Sequence, residues 1–183
     1  MMRDKQKAIF LDRDGTVIKE VNFLSTVEET ELYPHTIKAL QILRDAGFIF
    51  FVTTNQSGIA RGYFGASEVD AIHDKIQTEL NTNGLQIESF HFCPHMPDGG
   101  CKCRKPNTGM IEQACENFDI DLSESWMVGD KKLDIGMGFN AGTKTALVRT
   151  DYGEKHQNEL DRQPDMIADN LLDMAENIVA SKS

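Results

Sequence analysis

At 183 residues, with 40% apolar and 26% charged residues, the chain is long enough for one domain with a proper hydrophobic core. A net charge of −10 and the lack of a basic stripe exclude a nucleic-acid face, although local geometry still permits a phosphorylated substrate. The longest apolar runs, such as FIFFV at 48–52, are too short to span a bilayer, and the charged start MMRDKQK reads as no signal peptide. The expectation is a cytoplasmic, monomeric protein of one domain over 1–183, with no membrane partner and with reduced thiols.

The predicted elements alternate. AIFL (8–11) reads as a buried strand, and Ile37, Leu40, Leu43 and Ala46 recur at helical spacing, with Gly47 suited to the helix end. FIFFVTT (48–54) is the next strand. Val69, Ile72, Ile76 and Leu80 mark a second helix, for which Ser67 is a candidate N-cap. IESFHF (87–92) reads as a third strand, followed by a helix from about 109 to 118. WMVG (126–129), a short helix near 133–140, KTALV (144–148) and a last helix from about Asp169 complete the pattern. Apolar strands alternating with helices predict an α/β, doubly wound, Rossmann-like parallel sheet with helices on both faces. Ligands on such sheets bind beyond the carboxyl ends of the strands.

The residues just past those ends carry the chemistry. LDRDGT follows strand one, TTNQSG strand two, CPHMPDGGCKCRKP strand three and GDKKLD strand four. Carboxylates converging on one point repel unless a cation lies between them, and hard oxygen ligands with room for water and phosphate favour Mg²⁺. Asp12 and Asp130 are the side chains suited to hold it. A carboxylate can also attack phosphorus. Asp14 is placed to shuttle a proton, and Thr54 with Lys105 to hold phosphoryl oxygens. Gly15 allows a tight turn away from strand one.

DRDGT, TTN, a later lysine and GDKKLD resemble the haloacid dehalogenase superfamily of phosphohydrolases, over about residues 7 to 150. The resemblance implies Asp12 as nucleophile and Asp14 as general acid/base, with Thr54 and Lys105 on the phosphoryl group. It implies Mg²⁺ held by Asp12, the main-chain oxygen of Asp14, and Asp130, with Asp134 and Lys131 in support. The segments after Thr16 and after strand three are too short for a large cap domain, which implies an open site.

Within that superfamily, TNQSGIARGYF (54–64) and CPHMPDGGCKCRKPNTGM (93–110) resemble the D-glycero-D-manno-heptose 1,7-bisphosphate 7-phosphatases. Histidinol-phosphate phosphatases share the cysteine loop but resemble the chain less in NQSGIARG and in GM after the lysine, so a heptose bisphosphate is the expected substrate. The five-residue gap between His95 and Cys101, shorter than in some heptose enzymes and like that of the histidinol enzymes, keeps histidinol phosphate as the alternative. The resemblance implies a structural Zn²⁺ in the loop 93–103, on Cys93, His95, Cys101 and Cys103. His91 is a rival ligand, because alternation along a strand puts His91, Cys93 and His95 on one face. Cys103 runs directly into Arg104 and Lys105, so the loop would aim two cations. Asn55, Gln56 and Ser57, Arg104, Arg61 and Asn22 are the expected substrate contacts, with Phe23 near the entrance. His35, His73 and His156 are expected at the surface, Glu28, Glu29 and Glu31 on a solvated face, and Cys115 in a buried position. Two other classes remain open: a receiver-type phospho-acceptor domain and a catalytically silent zinc-stabilised module.

Overall fold

The computed structural model describes residues 5–181; the first four residues of the charged start and the last two residues lie outside them. Six strands form one sheet: β1 (Lys7–Leu11), β2 (Phe48–Asn55), β3 (Ser89–Cys93), β4 (Trp126–Gly129), β5 (Lys144–Val148) and β6 (Met166–Ala168). They lie in the order β3-β2-β1-β4-β5-β6, and every pairing is parallel. Parallel pairing explains the unbroken apolar runs, since both faces of each inner strand must be covered.

In β1, Ile9 and Leu11 face one layer, with α1 (Thr36–Asp45), α2 (Ala66–Asn81) and α6 (Leu171–Ala180). Ala8 and Phe10 face the other, with α3 (Gly109–Cys115) and α4 (Lys132–Ala141). Short α5 (Gly153–Gln157) follows β5. The doubly wound expectation holds. The connections 12–35 and 94–108 contain neither a helix nor a strand, so no large cap domain is inserted there.

Local differences have local causes. Helix α2 is capped by Gly65, whose N–H donates to Glu68 Oε2 at 2.8 Å, and Ser67 is already inside the helix. Helix α3 stops at Cys115, short of the expected 118. Strand β6 and helix α5 carry no sequence signal. Three residues and five polar-rich residues are too short to display a period.

Candidate active site

Because β1 lies at the centre of the sheet, its last residue opens onto the neighbours on both sides. Asp12 follows Leu11, and its N–H continues the ladder to Val128 O at 2.9 Å. The chain then turns through Gly15, whose φ of 87° is left-handed and whose Cβ, were there one, would lie 2.3 Å from Asp130 Oδ2. Only glycine meets both demands, the backbone angle and the close approach. Gly129 is similar in the second respect, since a Cβ there would lie 2.1 Å from Asp134 Oδ2. These two glycines let the carboxylates of β4 and α4 close on β1.

Lys105 ties the acids together. It arrives from an irregular loop yet is 4% exposed. Its Nζ donates to Asp12 Oδ1 at 2.8 Å, to Asp134 Oδ1 at 2.6 Å and to Thr53 O at 3.0 Å. Burial alone would raise the Asp12 carboxyl; the ammonium groups of Lys105 and Lys131 outweigh it and hold the carboxyl down at about 2. Burial and the Asp12 charge push Asp130 up to about 8. Burial works against the charge on Lys105, but Asp12 and Asp134 overcome it and raise its pKa. Stripping Lys105 of both acids would cost on the order of 3–5 kcal/mol, because its buried charge would be left uncompensated. The main chain of Lys105 is clamped as well: its N–H donates to Asn55 Oδ1 at 3.0 Å, and Asn55 Nδ2 donates back to Lys105 O at 3.4 Å.

Asp14 lies beside this cluster. Its Oδ2 accepts from Gln56 Nε2 at 3.0 Å and from Thr54 Oγ1 at 3.3 Å. Thr53, one residue earlier on β2, points into the core toward Met127 Sδ, so alternation along the strand selects Thr54 for the site.

The oxygens expected to hold a divalent cation do converge on a positive charge. Lys131 Nζ lies 3.1 Å from Asp14 O, 3.1 Å from Asp130 Oδ1 and 3.5 Å from Asp12 Oδ2, with Glu20 Oε2 at 3.3 Å. Carboxylate oxygens of Asp12, Asp130 and Asp134 all lie within 4.8 Å of one another. Oxygen donors gathered around one point with an ammonium among them fit a hard dication. Asp134 supports from behind, its Oδ2 accepting the Lys131 N–H at 2.9 Å.

A cleft opens over these groups, lined by Asp12, Asp14, Asn22, Phe23, Thr54, Asn55, Gln56, Ser57, Arg104, Lys105 and Lys131. Arg61 is not part of its lining. It is exposed at the rim, with its guanidinium 5.6 Å from the Phe23 ring centroid, and Phe23 meets Tyr63 edge-on at 4.9 Å.

In the neighbouring loop the four expected donors stand together. Cys93 Sγ is 3.6 Å from Cys101 Sγ and 3.5 Å from His95 Nδ1; His95 Nδ1 and Cys101 Sγ are 3.3 and 3.6 Å from Cys103 Sγ. A tetrahedron with Zn–S bonds of about 2.3 Å has edges of about 3.8 Å, so the set fits zinc. His91 is outside it, held by Ser89 at 2.7 Å and Gln113 at 3.2 Å. Arg104 Nη1 donates to His95 O at 3.1 Å, which ties the cation to the loop.

The expected surface positions of three histidines need correction. His73 is 5% exposed, on the inner face of α2. His35 is half-buried, and His156 is half-buried with Nδ1 accepting the Lys132 N–H at 3.0 Å. Cys115 is half-buried, packed on the second core layer. Glu28, Glu29 and Glu31 are exposed as expected. Two residues not expected at the site also belong to it: Arg13, which is wholly buried, and Glu20, whose carboxyl burial pushes up to about 7. Arg13 carried a signal: it is a charge inside a motif that must be buried for its acids to meet.

A parallel sheet with paired carboxylates past its central strand defines a hydrolase of the haloacid-dehalogenase kind, and the comparisons agree. Residues 102–174 match the HAD-hydrolase-like family. The D-glycero-alpha-D-manno-heptose-1,7-bisphosphate 7-phosphatase of Photorhabdus laumondii is 41% identical over 160 residues, covering 83% of this chain and 87% of the relative. The D-glycero-D-manno-heptose-1,7-bisphosphate 7-phosphatase of Thermosynechococcus vestitus is 39% identical, covering 90% and 91%. Among solved structures, the D,D-heptose 1,7-bisphosphate phosphatase of B. bronchiseptica, complexed with magnesium and phosphate, has a TM-score of 0.89 at 33% identity, covering 96% of this chain and 99% of that one. The chain belongs to the HAD-like hydrolases, within the family of the heptose-1,7-bisphosphate 7-phosphatases.

Proposed function

We propose that this chain is a Mg²⁺-dependent phosphatase that removes the 7-phosphate of D-glycero-D-manno-heptose 1,7-bisphosphate. The observation that carries the reading is the state of Asp12: a carboxylate at the mouth of β1, kept ionised by two ammonium groups, with Asp14 two residues on. Asp12 attacks phosphorus and the bond to the sugar oxygen breaks, giving an aspartyl phosphate. Asp14 gives its proton to the departing oxygen, then takes one from the water that cleaves the intermediate. The Thr54 hydroxyl and the Lys105 ammonium donate to the phosphoryl oxygens. Held by Asp12, Asp130 and the main-chain oxygen of Asp14, Mg²⁺ would neutralise charge on the transferred group.

Zn²⁺ on Cys93, His95, Cys101 and Cys103 would be structural, since four protein ligands close a tetrahedral site. Arg104 and Asn22, with Ser57, line the cleft where the rest of the sugar would lie. Asn55 and Gln56 act indirectly, one clamping Lys105 and the other Asp14. The whole chain works as one domain, in the cytoplasm, as a monomer, supplying a heptose 1-phosphate for the nucleotide-heptose precursors of surface polysaccharide. Among the described residues no helix is long and apolar enough to cross a membrane.

The substrate choice draws on the relatives, named for alpha and beta anomers alike. A second reading, histidinol phosphate, draws on the short gap between His95 and Cys101. Membership of the HAD-like hydrolases sets aside the receiver-type alternative. Phosphate release from heptose 1,7-bisphosphate, heptose 1-phosphate and histidinol phosphate, measured in parallel with and without Mg²⁺, tests the proposal. The expected result is rapid, Mg²⁺-dependent loss of one phosphate from the bisphosphate alone. Faster turnover of histidinol phosphate would overturn it.

A further inference from the structure

One buried polar contact beneath the catalytic loop has no part in the steps above. Arg13 is 0% exposed. One edge of its guanidinium grips Asp14, with Nε to Oδ2 at 3.0 Å and Nη2 to Oδ1 at 3.1 Å. On its other side, Nη1 lies 3.3 Å from Nε2 of His73, which comes from α2, 60 residues away in the chain. The His73 ring is stacked on Phe90 at 4.6 Å between centroids, with planes 20° apart.

A guanidinium can only donate, so Nε2 of His73 must accept. That fixes the imidazole as neutral, with its proton on Nδ1. Burial, then the charge of Arg13, push the His73 pKa down to about 3, which agrees. Filling space against Phe90 would require only a ring. The nitrogen aimed at Nη1 adds a second fixed point on the guanidinium, across from the carboxylate. A guanidinium held on one edge only can pivot about that edge; held on both, it cannot.

We infer that His73 is a positioning residue for the reaction: by accepting from Nη1 of Arg13 it fixes the guanidinium whose other edge orients the Asp14 carboxylate. The inference rests on the role given to Asp14 above. Among the described hydrogen bonds Oδ2 of Asp14 accepts from Arg13 Nε, Thr54 and Gln56, whereas Oδ1 accepts only from Nη2 and keeps a lone pair on which to carry the proton. A clamped guanidinium holds that oxygen in the same place for both halves of the cycle.

Two substitutions separate the acceptor from the ring. His73→Phe keeps an aromatic ring beside Phe90 and removes the acceptor. His73→Gln lacks the ring but sets an amide oxygen near the place of Nε2. Misplacing a catalytic group by about 1 Å costs up to ~10²-fold, so kcat for phosphate release should fall roughly 10- to 100-fold in the first variant. KM should stay within about twofold, because His73 does not line the cleft. His73→Gln should recover most of the lost kcat. In a crystal structure of His73→Phe, Arg13 should have lost one of its two bonds to Asp14.

Wild-type kcat in His73→Phe overturns the inference, and so does equal impairment of both variants, which would assign the effect to ring packing. Should His73→Phe fail to fold, His73→Asn takes its place; its amide is too short to reach Nη1, and wild-type kcat there is equally fatal. Failure of the wild-type enzyme on every phosphate ester would sink the phosphatase reading instead. The crystal structure then still decides whether His73 holds Arg13 on Asp14.

Discussion

The acidic site and the thiol loop meet at one turn, Cys103 to Lys105, yet they are organised by opposite means. Asp12, Asp130 and Asp134 are each at most 3% exposed, and each is fixed by partners from other parts of the chain. The sheet, with Lys105 and Lys131, holds that site together. In the loop, only Cys93 is buried, at the end of β3; Cys101 and Cys103 are half-buried and His95 is exposed. Its residues 94–108 belong to no helix or strand, and the four donors face one another, with Cys101 and Cys103 resting on the edge of the second core layer that holds Cys93. Burial raises the Cys93 thiol to about 12. At Cys101 burial also acts upward, but the backbone N–H of Arg104 and the neighbouring thiols prevail and lower it to about 6. One region is held by the packing and ion pairs around it; the other is an irregular loop whose four donors converge on one another.

The largest expected effect tests the acidic region. Asp12→Asn should reduce kcat below about 1% of wild type, since an amide does not attack phosphorus. The fold should survive, because the amide relieves repulsion among three buried acids while Asp134 still holds Lys105; the thermal midpoint should move by less than about 4 °C. Turnover well above that level would replace attack by Asp12 with direct attack by water.

The other region should respond differently. Cys101→Ser is expected to lose zinc, seen by metal analysis, and with it the aim of Arg104 and Lys105. A loss of roughly 10- to 100-fold in kcat follows from a displacement of about 1 Å at Lys105. The circular dichroism spectrum should barely change, because the sheet does not depend on the loop. A zinc-free variant with wild-type kinetics would erase the contrast, leaving both regions organised by the sheet.

What the sequence disclosed follows the same division. The apolar runs of β1, β2 and β4 were legible because parallel strands bury both faces, and the acids were legible because they stand immediately after those runs. The thiol ligands were recognisable from spacing, although His95 could be preferred to His91 only by resemblance. Contacts between distant segments were hidden. His73 was expected at the surface, yet it stands four residues after Val69 and three before Ile76, so the helical period that placed those inside places it inside too. A polar side chain on an apolar face has meaning only once its partner is known, and Arg13 lies 60 residues earlier. Glu20 was unreadable because the segment 12–35 has no period of its own.

The smallest expected effect lies at the rim. Arg61 stands over Phe23 rather than in the cleft, so Arg61→Ala should leave kcat alone and raise KM about three- to tenfold for a bisphosphate. KM for a small monophosphate should change less. An equal rise for both substrates would show that Arg61 only braces the Phe23 ring.

The sheet order also bears on how the enzyme comes into being. Strand β1 is the first to be synthesised and ends up in the middle, between β2 and β4. Asp12 therefore waits for a lysine 93 residues further on, and that lysine for an acid 29 residues beyond itself. Pairings so distant along the chain form slowly, and a growing chain acquires them in order. Until β4 docks, Asp12 stays apart from Asp130 and Asp134, which share one short segment of the chain. Hydrolytic power thus arrives with the closure of the sheet, and a half-made chain has none to misspend.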